Sequence, residues 1–170
     1  MKIHIALPLD RSKLGFLQLL DDDGALLCGP FQVDGQSDLV AAVAAGNPSR
    51  NPEQPYGNTP TGSYDGLIDS EPDTPTNRRS YGAPDAGGCI PIIDLRPLQE
   101  NSQAWRAFLN KRTGLLIHSG DLNGAGGLRP THGCVRMFPC DIVALMLALK
   151  NSGVHGVPVT IEQSQPQIPT

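Results

Sequence analysis

The sequence has no long apolar run, and nowhere does it approach the ~20 apolar residues that a membrane-spanning helix needs. Its beginning also lacks the apolar stretch and small-residue cleavage site of a signal peptide, because charge and proline come early. We therefore expect no membrane insertion. With no export signal visible, we expect a cytoplasmic protein, a shortened chain, or the cargo of a secretion system that needs no signal.

Basic residues are few as well. Lys and Arg number 13 against 17 Asp and Glu, which gives a net charge of −4 and a pI of about 5.4. Proteins that bind nucleic acids or anionic membranes carry clusters of Lys and Arg. This balance therefore argues against either kind of partner.

The sequence also lacks the cysteine spacing that is typical of zinc sites. The four cysteines, Cys28, Cys89, Cys134 and Cys140, include no C-x₂₋₄-C pair. A chain of 170 residues buries a core without metals or disulfides. We expect four free thiols in a reducing compartment, with Cys28 and Cys89 in structural roles, and no cofactor.

Glycine and proline, in contrast, are abundant, at 19 and 16 residues. Eight of the prolines lie between Pro48 and Pro91, which predicts a Pro/Gly-rich loop insertion at about 47–91. We expect one domain over residues 1–162 and a loose tail at 163–170. Strands are predicted at 3–9, 14–20, 25–28, 90–95, 115–117 and 157–161, and helices at 38–45, 102–111 and 139–151. Inside the loop region, residues 59–64 are predicted to form a turn that enters a short strand.

One segment carries residues suited to nucleophilic chemistry. His118 ends an apolar strand, and Thr131-His132-Gly133-Cys134-Val135-Arg136 follows a glycine-rich loop that allows Cys134 to fold back onto His118. A cysteine nucleophile needs a base or a cation beside it. Gly133 permits a tight turn whose amides form an oxyanion pocket. The dipole of the helix predicted from residue 139 favours a thiolate.

Other interpretations of these residues stay open. A single cysteine is commonly a small buried hydrophobe, and a single histidine is commonly a surface residue. Cys140, in the first turn of the predicted helix, is a rival nucleophile. Arg136 suits either a substrate carboxylate or an ion pair with an aspartate. A metal-ligand set of no standard spacing is also conceivable, formed by His118, His132, Cys134 and Cys140.

The segment resembles the signature of the L,D-transpeptidase catalytic domain, a His, a spacer, then Ser/Thr-His-Gly-Cys, an apolar residue and Asn or Arg. Thr59-Pro60-Thr61-Gly62 is similar to a turn common in that family. The spacer, residues 119–130, has 12 positions and is shorter than usual. Residues 112–118 also resemble transpeptidase-like toxins that are delivered by type VI secretion and lack signal peptides.

The resemblance implies a mostly β domain, with a curved or sandwiched mixed sheet and one or two helices. It implies that Cys134 attacks a peptidoglycan tetrapeptide stem, expels the terminal D-residue and forms a thioester. His118 is then the base and later the acid, oriented by the backbone carbonyl of Ser119. The implied oxyanion and substrate-binding residues are Thr131, His132, Gly133 and Arg136, with the Cys134 amide.

Several functions follow from the same residues. An acceptor amine that resolves the thioester gives an L,D-transpeptidase, and water gives an L,D-carboxypeptidase. Both act on stem peptides in the periplasm or cell wall. A second hypothesis is a type VI secretion toxin that attacks a rival's wall and has an immunity protein as partner. A third is a non-catalytic module that binds wall peptides, although the intact Cys and His pair argues against it.

Overall fold

Most of the chain is β-structure. In the computed structural model, which describes residues 1–85 and 87–164, there are eight strands in one closed barrel and four helices. The strands are β1 (Lys2–Pro8), β2 (Gly15–Leu20), β3 (Leu26–Asp34), β4 (Gly62–Pro72), β5 (Cys89–Pro97), β6 (Leu116–His118), β7 (Val135–Met137) and β8 (Gly156–Ser164). The helices are α1 (Leu39–Ala44), α2 (Pro75–Tyr81), α3 (Gln103–Leu109) and α4 (Pro139–Asn151).

The sheet closes on itself in the order β1-β2-β3-β7-β6-β5-β4-β8, with β8 returning to β1. Neighbouring strands are antiparallel except where β1 meets β8 and β6 meets β7. The expectation of a mostly β domain is confirmed. The curved or sandwiched sheet is replaced by a barrel, and the described residues form four helices instead of one or two.

Alternating apolar residues fill the interior of the barrel. Side chains of successive strand residues point to opposite faces, so every second residue of a strand enters the core. β1 buries Ile3, Ile5 and Leu7 completely in this way. Strand β8 does the same with Val157, Val159 and Ile161. The parallel pairing of β1 with β8 brings these two apolar rows together.

Helix α4 covers part of the barrel with one apolar stripe. Pro139 occupies its first turn, where the missing N–H costs nothing. Leu147, which is 47% exposed, lies on the side of the helix that faces away from the barrel. The buried residues recur at helical spacing, at Ile142, Leu145, Met146 and Leu149.

The segment at 47–91 is not the loop insertion that its prolines predicted. It contains β4, α2 and the start of β5. The Thr74 hydroxyl accepts a hydrogen bond of 3.1 Å from the Asn77 N–H and caps α2 ahead of Pro75. Strand β4 pairs with β5 on one side and β8 on the other. Long-range pairing therefore makes a strand from a segment whose local signals are those of a loop.

The closing strand is longer than predicted. β8 continues through Ser164, so residues 163 and 164 are paired with β1 and do not belong to a loose tail. The rest of the predicted tail, residues 165–170, lies outside the described residues. The other predicted strands and helices are found, most of them within two residues of their expected ends.

Removing a core side chain should cost the barrel much of its stability. Ile5→Ala deletes a fully buried side chain, so the free energy of unfolding should fall by about 2–5 kcal/mol in denaturant titrations. Val40→Ala, at a position 79% exposed on α1, is the matched control and should stay within about 0.5 kcal/mol of the parent chain. Equal losses for the two variants would contradict this placement of the core.

Candidate active site

The parallel pair β6 and β7 brings the predicted nucleophile and base to one surface. Ile117 pairs with Val135, and both side chains are completely buried in the barrel. Their neighbours along each strand must point the opposite way. His118, the last residue of β6, and Cys134, the residue directly before β7, therefore lie on the same outer face. Both line the same cleft.

His118 is 4% exposed and tightly held. Its Nδ1 lies against the carbonyl oxygen of Ser119, so the neutral ring donates Nδ1–H to that oxygen and keeps a lone pair on Nε2. This is the contact that the sequence led us to expect of Ser119. The Ser119 hydroxyl donates to the Tyr81 carbonyl at 2.6 Å, and the Tyr81 ring meets the imidazole edge-on, with centroids 5.4 Å apart.

Burial decides the charge of His118. Desolvation, helped by the nearby Arg136 guanidinium, lowers the pKa of the imidazole to about 4, although the hydrogen bond to Ser119 acts in the opposite direction. Near neutral pH the ring is therefore uncharged. It can accept a proton at Nε2, which is what a general base requires.

Cys134 is half-buried, and its thiol donates to the Gly114 carbonyl at 3.5 Å. Burial raises the pKa of the thiol, while the Leu116 N–H and the guanidinium of Arg112 act against that rise. The resting site thus pairs a neutral thiol with a neutral imidazole. The expected help from a helix dipole was wrong, because α4 begins beyond the far end of β7.

The turn before Cys134 is fixed by hydroxyl groups. The Gly133 N–H donates to Thr131 Oγ1 at 2.8 Å, and Thr131 Oγ1 lies 3.0 Å from the Cys134 carbonyl oxygen. That amide therefore already has an acceptor in this structure, and the role of Gly133 as an oxyanion donor stays a prediction. Thr59, which opens the Thr-Pro-Thr-Gly turn, places its buried hydroxyl 3.0 Å from the Gly133 carbonyl oxygen.

His132 stands at the rim of the cleft. It is exposed, and its ring meets Tyr56 with centroids 4.9 Å apart. Gly133 itself has a φ of +104°, a conformation that favours glycine. A Cβ there would lie 1.9 Å from Nη2 of Arg112. No larger residue fits this position without moving the cation.

Arg136 is 7% exposed and has no carboxylate within 4 Å among residues 1–85 and 87–164. Its terminal nitrogens donate to the carbonyls of Asp121 and Ser80, both at 3.3 Å. Its Nε has no hydrogen-bond partner in the same part of the chain. The ion pair with an aspartate, one of the two expectations for this residue, is not formed.

The cleft has a volume of about 710 Å³, and its lining is cationic. The chain as a whole carries a net charge of −4, so the positive charge of the cleft is opposite to the charge of the protein overall. Such a lining attracts anionic ligands. Its one carboxylate, among the described residues, is Asp38, and its cations are Lys111, Arg112, Arg129 and Arg136.

The structure separates Cys140 from this site. Cys140 is exposed in the first turn of α4 and does not line the cleft. In the described ranges all four cysteines are free thiols, as expected, although Cys89 is exposed and not packed in a structural role. No group of three or more His, Cys, Asp or Glu in those ranges is arranged to hold a metal ion. None of the described helices is long and apolar enough to cross a bilayer.

Sequence reasoning missed three residues of the site. Arg112 lies behind the Cys134 turn, Tyr81 packs on His118, and Thr59 bonds to the turn. Arg112 falls in the segment likened to secreted toxins, and Thr59 in the Thr-Pro-Thr-Gly turn, so each carried a signal without an assigned role. Tyr81 lies in the segment predicted as a loop, and its position depends on α2.

No protein-family model matches this sequence, and no curated protein matches it. Among solved structures, the chain is similar to an L,D-transpeptidase from Mycobacterium smegmatis, with 16% sequence identity and a TM-score of 0.41. The alignment covers 95% of this chain and 58% of that one, so this chain spans little more than half the length of the solved protein. So distant a likeness says nothing about the site.

The neutral resting pair predicts how the thiol responds to pH. Alkylation of Cys134 by iodoacetamide should be slow at neutral pH and should still rise beyond about pH 8.5, where an ordinary thiol levels off, because the thiol pKa lies above its ordinary value. Peptide mass spectrometry reads this residue separately from Cys28, Cys89 and Cys140. A rate that stays high and flat down to about pH 5 would instead indicate a thiolate–imidazolium pair.

Proposed function

We propose that this chain is a cysteine acyltransferase that acts on peptidoglycan tetrapeptide stems, as an L,D-transpeptidase, an L,D-carboxypeptidase or both. The observation that carries the proposal is that His118, at the end of β6, and Cys134, directly before β7, line the same cationic cleft. This arrangement supports the chemistry that the sequence signature suggested.

The chemistry follows from the neutral pair. Nε2 of His118 accepts the Cys134 proton as Sγ attacks the carbonyl carbon of the residue before the terminal D-residue. The tetrahedral adduct collapses when the C–N bond breaks, and His118 returns the proton to the departing amine. A thioester remains. An acceptor amine then gives a cross-link, or water gives a tripeptide. His118 takes a proton from whichever attacks and returns it to Sγ as the C–S bond breaks.

Charge in the cleft supports a stem peptide as the substrate. Such peptides carry free carboxylates, including the one at the C-terminus. Arg136 offers a buried guanidinium without a carboxylate partner in the described residues, and its planar fork suits a carboxylate. Lys111 and Arg129 add positive charge at exposed positions of the same cleft. We therefore assign the substrate carboxylate to Arg136.

We also propose a place of action. Stem peptides of the mature wall lie outside the inner membrane, so the enzyme would work in the periplasm or cell wall. Delivery by type VI secretion against a rival's wall, with an immunity protein to protect the producer, stays a prediction from the sequence.

Removal of the nucleophile should abolish turnover of a tetrapeptide stem. Cys134→Ala should release no terminal D-residue and form no cross-link, because no thioester can form. Cys140→Ala is the matched control and should keep the parent rate, since its thiol lies outside the cleft. Mass spectrometry of the products distinguishes hydrolysis from transfer. A dead Cys140→Ala beside an active Cys134→Ala would move the nucleophile to α4.

The two histidines should differ in the same assay. His118→Ala should lower kcat by about 10²–10⁴-fold, the usual contribution of general acid–base catalysis. His132→Ala should lose less, because His132 is an exposed rim residue. Equal or inverted losses in folded variants would contradict the assignment of the base. Binding of the peptide without turnover in the parent chain would favour a non-catalytic module.

The delivery proposal has its own test. The chain is expressed in a susceptible bacterium with a fused export signal, beside Cys134→Ala and beside the same chain without the signal. A toxin should cause lysis and depleted tetrapeptides only when exported with Cys134 intact. A housekeeping transpeptidase should add 3–3 cross-links without lysis. If the exported parent matches Cys134→Ala in both readouts, neither enzyme role stands.

A further inference from the structure

Arg112 is a buried cation whose partners are all carbonyl oxygens. It is 5% exposed, and its guanidinium donates to the carbonyls of Gly57 at 2.6 Å, Asn58 at 2.8 Å and Gly133 at 3.3 Å, and also to that of Pro52. No carboxylate lies within 4 Å of it in residues 1–85 and 87–164. Its hydrogen bonds are satisfied while its charge is not neutralised.

A buried charge without a counter-ion is costly, since carbonyl dipoles replace only part of the lost hydration. The cost shows in the guanidinium itself, because burial lowers the pKa of Arg112 to about 10. The ionisable groups that bear on its charge are the Tyr64 phenol and the Cys134 thiol. Tyr64 is fully buried, donates its hydroxyl to the Pro60 carbonyl at 2.7 Å and stays protonated. That leaves Cys134.

We propose that Arg112 is the counter-ion of the Cys134 thiolate, a positioning residue that stabilises the charge formed when His118 takes the proton. It is not proposed to touch substrate. The inference rests on the proposed role of Cys134 as the nucleophile. It identifies Arg112, which lies outside the sequence signature, as the source of the positive charge that this nucleophile needs.

The other groups around Cys134 are less suited to this role. Tyr81, from α2, is a neutral phenol whose pKa burial raises. His118 becomes a cation only by taking the thiol proton, so a positive charge that is present beforehand must come from another residue, and His132 is exposed at the rim. Arg136, from β7, also lowers the pKa of the thiol, but the carboxylates of Asp34 and Asp121 act on it. It is therefore partly neutralised at a distance.

Arg112 also holds the turn that leads into Cys134. Through the Gly133 carbonyl, Arg112 is bonded to the residue before Cys134, and through Gly57 and Asn58 to the segment ahead of β4. A purely structural role would need these bonds but not the charge. Arg112→Lys keeps the charge but not the full set of hydrogen bonds, and Arg112→Gln removes the charge. Comparing these variants therefore distinguishes the electrostatic role from the structural one.

The test is the pH profile of Cys134 alkylation by iodoacetamide in the full chain, which needs no substrate. Arg112→Gln removes the charge and should raise the pKa of the thiol by about one unit or more, so that alkylation at neutral pH falls about tenfold. Arg112→Lys keeps a charge and should stay close to the parent profile. Arg136→Gln should shift it less than Arg112→Gln. Arg96→Gln, at an exposed residue of β5, should not shift it.

An unchanged thiol pKa in folded Arg112→Gln overturns the proposal, and so does an equal shift in Arg112→Lys. Should Arg112→Gln not fold, Cys134→Asp and Cys134→Asn decide instead. With a counter-ion, the Asp variant should have a Tm at pH 7 at least equal to that of the Asn variant. That advantage should disappear on acidification, as protonation removes the carboxylate charge. An Asp variant that is less stable at pH 7 and recovers in acid contradicts the proposal.

These readouts separate this inference from the proposed function. If the parent chain turns over no stem peptide but its thiol responds to Arg112 as described, the proposed function is wrong and the counter-ion assignment stands. If the chain turns over stem peptides but the pKa of its thiol does not change in Arg112→Gln, the proposed function stands and the counter-ion assignment is wrong.

Discussion

The site depends on the pairing of two three-residue strands, β6 and β7. Their inner residues, Ile117 and Val135, are locked into the barrel core, so the register cannot slip by one residue without turning buried side chains outward. In this parallel register His118 is paired with Arg136, so Cys134, two residues before Arg136, lies diagonally across from His118 on the same outward face. The same constraint that closes the barrel therefore sets His118 and Cys134 beside one cleft.

Burial then determines the electrostatics. It lowers the pKa of His118 and raises the pKa of Cys134, so the resting pair is neutral. At the same time the surrounding cations, Arg112 and Arg136, are themselves buried and have only carbonyl oxygens within hydrogen-bond reach among the described residues. A site of this kind favours negative charge that appears during a reaction over charge that is already present in the resting state.

The candidate reactive residues can be recognised in the sequence because they lie close together along the chain. His118, Thr131, His132, Gly133 and Cys134 fall within seventeen positions, counting 118 through 134. The carbonyl of Ser119 follows His118 directly, so that contact is local as well. In contrast, Thr59, Tyr81 and Arg112 come from three different parts of the chain. Their roles depend on where β4, α2 and the end of α3 pack, which no short motif records.

Taken alone, the sequence determined the apolar alternation of strands such as β1 and β8, the start of α4 and the order of the candidate reactive residues. Each of these depends on near neighbours and on side-chain type. Only the tertiary structure decided that the sheet closes into a barrel and that 62–72 is a strand. It also decided that the Gly133 amide is occupied and that Arg112 lies beneath the turn of Cys134. Those outcomes depend on pairing and burial between residues far apart in the chain, whose energies local sequence does not contain.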